Sequence, residues 1–392
     1  MDIDADRAAL EAWLILLRAP GLGPGAIRGL LARHGDVRAA LAAARQGDLG
    51  ERRVAAGCRG WLAAPRRETI ESDLAWLASP DHLLLTSDAA DFPALLEDSP
   101  SPPAALFVAG DAGLLWQPQV AIVGSRHASQ GGRANAAGFA RALAQAGFTI
   151  TSGMAEGIDG AAHAAALDAG GRTVAVLGTG ADRVYPEIHQ DLAARIAAEG
   201  ALVSEFPPGT PAHPAHFPRR NRIIAALVLG TLVVEASVRS GSLITARNAA
   251  ESGREVFALP GSIHNPLARG CHQLIRNGAR LVETCEDLVG ELAPLASHLG
   301  TQLRERLGDC ARIDAGATPD PCVTGSRPAD PAQARLQAAL GHDPVGIDEL
   351  AERTGFDVAR VSSLLLMLEL EGSIVPAGGG AWARKVGAAP PG

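Results

Sequence analysis

The sequence predicts an α/β protein built on a doubly wound, mostly parallel sheet. Short, nearly continuous apolar runs recur within residues 80–290: VAIVG (120–124), FTITSG (148–153), RTVAVLG (172–178), ALVSE (201–205), TLVVEA (231–236) and EVFALPG (255–261). Segments of roughly 12–25 residues that suit helices separate these runs. Glycine-bearing loops follow the runs: VGSRHAS, SGMAEGID, LGTGADRVYP, SEFPPG, EASVRSGS and LPGS. Strands that are apolar along their whole length are covered on both faces, as in parallel sheets flanked by helices. The region 80–290 therefore reads as a Rossmann-like domain. Its ligand is expected beyond the carboxyl ends of the strands, where glycines admit a close approach and helix starts offer free N–H groups.

Three further segments surround it. Residues 1–75 read as short helices rich in Ala, Leu and Arg, an N-terminal helical domain of the SAM or helix-hairpin-helix type. Within it, LRAPGLGPGAIRGLLARHG places a Gly-x-Gly turn between two helical stretches. That turn either grips a phosphate backbone with its amides or serves only to pack an αα-hairpin. Residues 291–330, with DAGATPDPCVTGSRPADP, read as a linker. Residues 331–386 read as helix, turn, longer helix and a hairpin around Gly378–Gly380, a winged-helix pattern. The longer helix sets Arg360 among Asp357, Glu369 and Glu371. A groove-reading helix is usually more basic, so this segment points to protein interaction or weak duplex contact.

Composition bounds the function. The chain has 392 residues and is 47% hydrophobic, enough for a large core and more than one domain. Its net charge is −8, and Lys385 is the sole lysine, so arginine carries any anion contacts. Residues 119–289 hold 15 arginines against 14 acidic residues, while the remainder holds 20 basic against 29 acidic. This excludes a bulk nucleic-acid coat protein and leaves room for a local basic pocket. Five cysteines without CxxC spacing indicate neither a zinc site nor a disulfide framework. A reducing cytoplasm fits. No apolar run reaches membrane-spanning length, and the acidic start MDIDADRAALEAW lacks a signal-peptide pattern.

Nucleotide cofactors are not expected. A Walker A loop needs a lysine where none exists, and GTGADR puts Arg183 at the third glycine of a dinucleotide fingerprint. No metal or other cofactor is called for. In VGSRHAS, Gly124, Ser125 and Arg126 form either a phosphate cradle or a tight turn with a solvated arginine. In SGMAEGIDGAAH, which begins at Ser152 and includes Gly153, Glu156 and Asp159 are either helix-capping or acid/base groups. His163 reads as packed. In VRSGSLITARNAAESG, Ser240, Gly241 and Ser242 offer donors, and N-capping explains one serine. In HFPRRNRIIAALVLG, Arg219, Arg220 and Arg222 cannot all enter a core unpaired. Three guanidiniums at a helix start oppose its dipole and require an anion, part of which Glu205 or Glu235 can supply. Phe217 and Tyr185 are either stacking faces for single-stranded nucleic acid or core rings.

These stretches together resemble the DNA-processing protein A (DprA/Smf) family. VAIVGSRHAS, TSGMAEGIDGAAH, VLGTGADRVYP, SEFPPG, HFPRRNRIIAAL, VVEASVRSGSLITARNAAESGREVFALPG and GCHQLIRNGA run in family order over residues 119–281. The flanking hairpin and winged helix extend the likeness to nearly the whole chain. The resemblance implies a non-catalytic protein that binds single-stranded DNA, protects incoming transforming DNA and loads a RecA-type recombinase. It also implies a homodimer formed through the Rossmann-like domain. Carried over position by position, the DNA pocket uses Gly124, Ser125 and Arg126 with Phe217, Arg219, Arg220, Asn221 and Arg222. Gly153, Ser240 and Gly241 complete the candidate set. A lysine common in the family before this Phe is replaced here within PAHPAHF by His213 and His216. If these histidines substitute for it, DNA affinity rises as pH falls. Two other readings stand beside this one. A phosphoribohydrolase of the related fold would need a PGGxGT loop that LVVEASVRSGS lacks. A protein-interaction scaffold would act through the winged helix.

Overall fold

The computed structural model describes residues 3–49, 56–313, 336, 340, 345–356, 361, 365, 374–376 and 381–384. The chain divides into two compact units, Met1–Asp314 and Ala315–Gly392.

The first unit begins with five helices: α1 (Ile3–Arg18), α2 (Pro24–His34), α3 (Val37–Arg45), α4 (Ala56–Ala63) and α5 (Arg67–Leu77). The turn before α2 uses Gly21 at φ +78° and Pro24 in the first helical turn, a position that needs no backbone donor. Asp36 caps α3 by accepting from the N–H of Arg38 and Ala39 at 2.8 and 3.0 Å. The apolar faces of these helices share one core, built on Trp13, Leu14, Leu16, Ile27, Leu30 and Leu62. That core continues into Phe107 and Ala181 of the neighbouring sheet region.

The sheet has nine strands: β1 (His82–Thr86), β2 (Ala105–Gly110), β3 (Gln119–Val123), β4 (Thr149–Ser152), β5 (Thr173–Leu177), β6 (Ala201–Ser204), β7 (Gly230–Val233), β8 (Glu255–Ala258) and β9 (Arg280–Leu281). Their order is β1-β2-β6-β5-β4-β3-β7-β8-β9. From β6 to β9 every pairing is parallel, and β1 and β2 are added antiparallel at the β6 edge. The helices between strands are α6 (Ala94–Glu97), α7 (Gln130–Gln145), α8 (Ile158–Asp168), α9 (Gln190–Glu199), α10 (His216–Leu227), α11 (Ser242–Glu251) and α12 (Arg269–Arg276). The helix α13 (Cys285–Ile313) follows β9. The chain winds outward from β3 through β4, β5 and β6, then returns to β7 on the other side of β3. The winding direction therefore reverses between β3 and β7, and the loops leaving these two strands diverge to open a crevice.

Two expectations need correction. The sheet is wider than the apolar runs suggested, because β1, β2 and the two-residue β9 were not anticipated. Residues 291–313 are not a linker: they continue α13, which buries Leu288, Leu292 and Leu299 against the sheet domain despite Pro294. Residues 314–330 of the expected linker lie outside the described residues.

In the second unit, β10 (Val345–Gly346) precedes α14 (Ile347–Thr354), and β11 (Ile374–Pro376) and β12 (Ala381–Arg384) follow. The strand β12 pairs antiparallel with both β10 and β11. Leu336, Leu340, Val345, Leu350, Val361 and Leu365 form its core. Val361 and Leu365 are helical, and the rest of the expected longer helix, with Arg360, lies outside the described residues, as does the turn at Gly378–Gly380.

His163 on α8 is packed, as its sequence context indicated: it is fully buried. Thr173 donates its hydroxyl to Ile150 O, so it accepts from His163 Nδ1–H at 2.7 Å. Burial pushes the His163 imidazole down to about 3. The unfolded chain therefore protonates first, near the ordinary value of about 6.5, and stability falls as pH falls below it. Between pH 7 and pH 5 this residue alone is expected to cost the first unit about 2 kcal/mol. Urea midpoints measured at both pH values should show that loss in the parent chain and a shallower pH dependence in His163→Gln.

Candidate functional site

At the reversal point a cavity of about 540 Å³ opens beyond the carboxyl ends of the strands. Three segments line it. Gly124, Ser125 and Arg126 come from the loop after β3. Phe217, Pro218, Arg220, Asn221 and Ile224 come from the first turns of α10. Ser240, Gly241, Ser242, Ile244 and Thr245 come from the entry to α11. Asp159 and Tyr185 complete the wall.

The β3 loop is fixed by backbone geometry. Ser125 N–H donates to Glu235 O at 2.7 Å, which ties the β3 loop to the β7 loop. Gly157 has φ +81°, and a Cβ there would lie 2.3 Å from Ser125 O, so α8 starts hard against this loop. The expected cradle is thus partly spent: the Ser125 amide is engaged within the protein. Its hydroxyl accepts from His127 N–H at 3.2 Å and keeps its own proton for a ligand. Arg126 is exposed, makes no ion pair among the described residues, and places its guanidinium 5.3 Å from the Phe217 ring centroid. Tyr185 lies 5.6 Å from the same ring. The two rings and the guanidinium form one rim of the cavity.

The three arginines of α10 take three different positions. Arg220 points inward: it is 5% exposed and donates to Val176 O at the end of β5. Burial lowers its guanidinium to about 10, which leaves it charged at neutral pH. Asp159 lies near it and accepts from Gly153 and Ala155 N–H at 3.2 and 3.3 Å. Burial pushes the Asp159 carboxyl up, and Arg220 and these amides pull it back. The charge of Arg220 and these two loop amides account for Asp159. Arg219 and Arg222 do not line the cavity. Both donate to Glu205, which is 7% exposed, and Arg222 also donates to Ser101 O. The Arg219 guanidinium lies 5.1 Å from the Phe206 ring. Of the two acids named from the sequence, Glu205 takes both arginines. Glu235 instead accepts from Ser129 N–H and Oγ at 2.9 and 2.6 Å, at the start of α7.

Gly153 borders a smaller adjoining cavity together with Arg126, Glu156, Tyr185, Phe217 and Arg220. His216 does not stand in for a lysine: its Nδ1 bonds Gly178 O at 3.1 Å, and its ring stacks on Phe206 at 4.2 Å. Burial lowers its imidazole below the usual range, and the Gly178 carbonyl partly offsets this. Asn221 lines the cavity and donates to Gly241 O at 3.3 Å, which links α10 to the α11 entry. There Ser240 and Ser242 share a hydroxyl–hydroxyl bond of 2.7 Å. Ile224, Ile244 and Thr245 were not singled out from the sequence, since apolar and helical positions carry no chemical signal. Among the described residues, no cluster of His, Cys, Asp or Glu is arranged to hold a metal ion. No described helix is long and apolar enough to cross a membrane.

The family described as DNA recombination-mediator protein A matches residues 83–293. A DprA-like N-terminal HHH domain matches residues 6–55, and a DprA winged helix domain matches residues 320–380. Protein Smf of Escherichia coli (strain K12) is 44% identical over 321 residues, which cover 82% of each chain. The crystal structure of DNA processing protein A from Streptococcus pneumoniae is similar with a TM-score of 0.66 at 36% identity, covering 72% of this chain and 97% of that one. The structure of DNA processing protein A from Helicobacter pylori, which addresses its single-stranded DNA binding mode, is similar with a TM-score of 0.50 at 27% identity. It covers 54% of this chain and 96% of that one.

Gly153 is required by the position of Arg220. A Cβ at 153 would sit 2.1 Å from Arg220 Nη1 and 2.6 Å from its Cζ. Gly153→Ala is therefore expected to displace the guanidinium and cost about 1–3 kcal/mol of stability. Gly138→Ala, where nothing lies within 4 Å of the added carbon, should be neutral or slightly stabilising. Urea denaturation of the two variants makes the comparison.

Proposed function

Because the chain belongs to the DNA recombination-mediator protein A family, we propose that it binds single-stranded DNA in the cavity between β3 and β7. One observation carries this reading. The segment Gly124–Ser125–Arg126, the start of α10 and the Ser240–Ser242 turn converge on one concave wall, where a cationic group, hydroxyls and aromatic faces stand side by side. Arg126 and the Ser125 hydroxyl suit a phosphate, and Phe217 and Tyr185 suit a base face. The relative from Helicobacter pylori, described by its single-stranded DNA binding mode, supports the same ligand.

In this reading the protein works in the cytoplasm by binding, without a chemical step of its own. Asp159, the carboxylate that lines the cavity, is engaged by protein donors. The protein would cover incoming single strands during transformation or recombination and hand them to a RecA-type recombinase, acting as a homodimer through the sheet domain. The contact set is Gly124, Ser125, Arg126, Phe217, Arg220, Asn221, Ser240 and Gly241. Gly153 acts by admitting Arg220. Arg219 and Arg222 shape α10 through Glu205.

Fluorescence anisotropy with an oligothymidine tests the site. Arg126→Ala should weaken binding and flatten the slope of log Kd against log salt by about 0.7, the value for one phosphate contact on a single strand. Phe217→Ala should cost about 1–3 kcal/mol of binding with the slope kept. Arg219→Ala should cost less than Arg126→Ala. If folded Arg126→Ala and Phe217→Ala proteins bind as the parent does, the site is elsewhere.

Removing residues 331–392 should leave oligothymidine affinity within about twofold, because every proposed contact lies in the first unit. Loss of binding on that deletion would move the site to the second unit. A gel shift with and without a RecA-type partner tests the handover.

A further inference from the structure

Two loops beside the cavity are mounted on the N-terminal helices. Arg18, at the end of α1, donates Nε and Nη2 to the two oxygens of Asp73 on α5, both at 2.5 Å. The same Nη2 donates to Pro208 O at 2.7 Å. Asp73 is fully buried, so the bidentate pair fixes the plane of the guanidinium, and with it the place of the Pro208 carbonyl.

Pro208 belongs to the segment 205–210 that follows β6. This segment is braced from within: Thr210 N–H and hydroxyl both donate to Pro207 O. It is also tied to the 178–185 loop, since Gly209 N–H donates to both oxygens of Asp182 at 2.8 and 2.9 Å, and Gly180 N–H donates to Thr210 O at 3.0 Å. Ala181 of that loop is buried in the core of the N-terminal helices. The 178–185 loop reaches the cavity, and the 205–210 segment reaches α10, whose first turns line it. The 178–185 loop ends in Tyr185. The 205–210 segment offers Glu205 to Arg219 and Arg222 and the Phe206 ring to His216, which together seat the first turns of α10.

We propose that the Arg18–Asp73 pair is a positioning latch for the cavity. Docking of the N-terminal helices on Pro208 sets the two braced segments, and through them the positions of Tyr185, Phe217 and Asn221. Arg18 touches no residue of the cavity wall, so its influence on the ligand is indirect. The proposal rests on the cavity being the single-strand site.

Tyr185 is the sole tyrosine of the chain, so the full-length protein labelled with fluorotyrosine gives one fluorine resonance, which reports on the cavity rim. In Arg18→Ala that resonance should shift or broaden. Oligothymidine affinity should fall about fivefold or more, the lower end of ordinary coupling between sites. The salt slope should not change, because no phosphate contact is lost. Arg18→Lys keeps the charge beside Asp73 and should recover part of the affinity; it also serves if Arg18→Ala does not fold. An unmoved resonance, unchanged affinity, or a flattened salt slope in a folded Arg18 variant each overturns the latch. A parent protein that binds no oligothymidine overturns the reading of the cavity instead, and the fluorine resonance still decides the latch.

Discussion

The site depends on one buried charge. Arg220 lies under the carboxyl edge of the sheet with almost no exposure. A guanidinium there is tolerable only if its charge is paired and it is hydrogen-bonded. Val176 O meets the Nη1 donor and Asp159 supplies the opposing charge, while the buried Nε has no hydrogen-bond partner among the described residues. Asp159 is in turn held by the amides of Gly153 and Ala155. The guanidinium presses so close to Gly153 that no side chain fits between them. One arginine thereby fixes the end of β5, the turn after β4 and the start of α8 relative to α10. The cavity takes its shape from that fixed group.

Glu205 divides the remaining charge. Three arginines at the start of one helix would repel one another and oppose its dipole. A single buried carboxylate accepts from two of them, and the third is turned inward to Asp159. The net effect is local neutralisation inside the protein. Among the described residues lining the cavity, Arg126 is the cation that has no carboxylate partner. An acidic chain can thus carry an anion site, because the residues that look most basic in the sequence are largely consumed by the fold. The exposed guanidinium comes from a different loop.

The parallel strands were legible because a strand covered on both faces must be apolar throughout, and six such runs stand out. The loops were legible because glycine, serine and arginine recur where the strands end. The three added strands were not: β9 is only two residues long, and HLLLT and ALFVAG stand on either side of a proline-rich stretch. The helix α13 was masked by Pro294, although Leu288, Leu292 and Leu299 repeat at helical spacing. Glu205 and Glu235 were both visible as candidate partners for the arginines. Choosing between them needed the placement of α10 beside the end of β6, which no local pattern encodes. Whether His213 and His216 substitute for a lysine stood open in the sequence, because spacing cannot show that Gly178 O and the Phe206 ring already hold His216.

The choice of strand ends decides what the cavity can hold. Each parallel strand delivers a loop to the same edge, but only between β3 and β7 do neighbouring loops turn away from each other. A phosphate could be met at any of the helix starts along this edge. At the start of α7 that capacity is taken by the Glu235 carboxylate and the Ser129 hydroxyl. At α8 it is taken by backbone carbonyls, since Ile158 N–H donates to Ser125 O and Gly160 N–H to Ala155 O. At the entry to α11 the Ser242 N–H donates to Ser240 Oγ at 3.3 Å and the Ile244 N–H to Gly241 O at 3.0 Å, so this turn offers the cavity its two serine hydroxyls and the neighbouring Asn221. An anion entering between β3 and β7 therefore meets serine hydroxyls on one side and the Arg126 guanidinium on the other, with the Phe217 and Tyr185 rings beside it. This arrangement suits a ligand that alternates charge with flat apolar faces, and an extended single strand of nucleic acid has that alternation along its length.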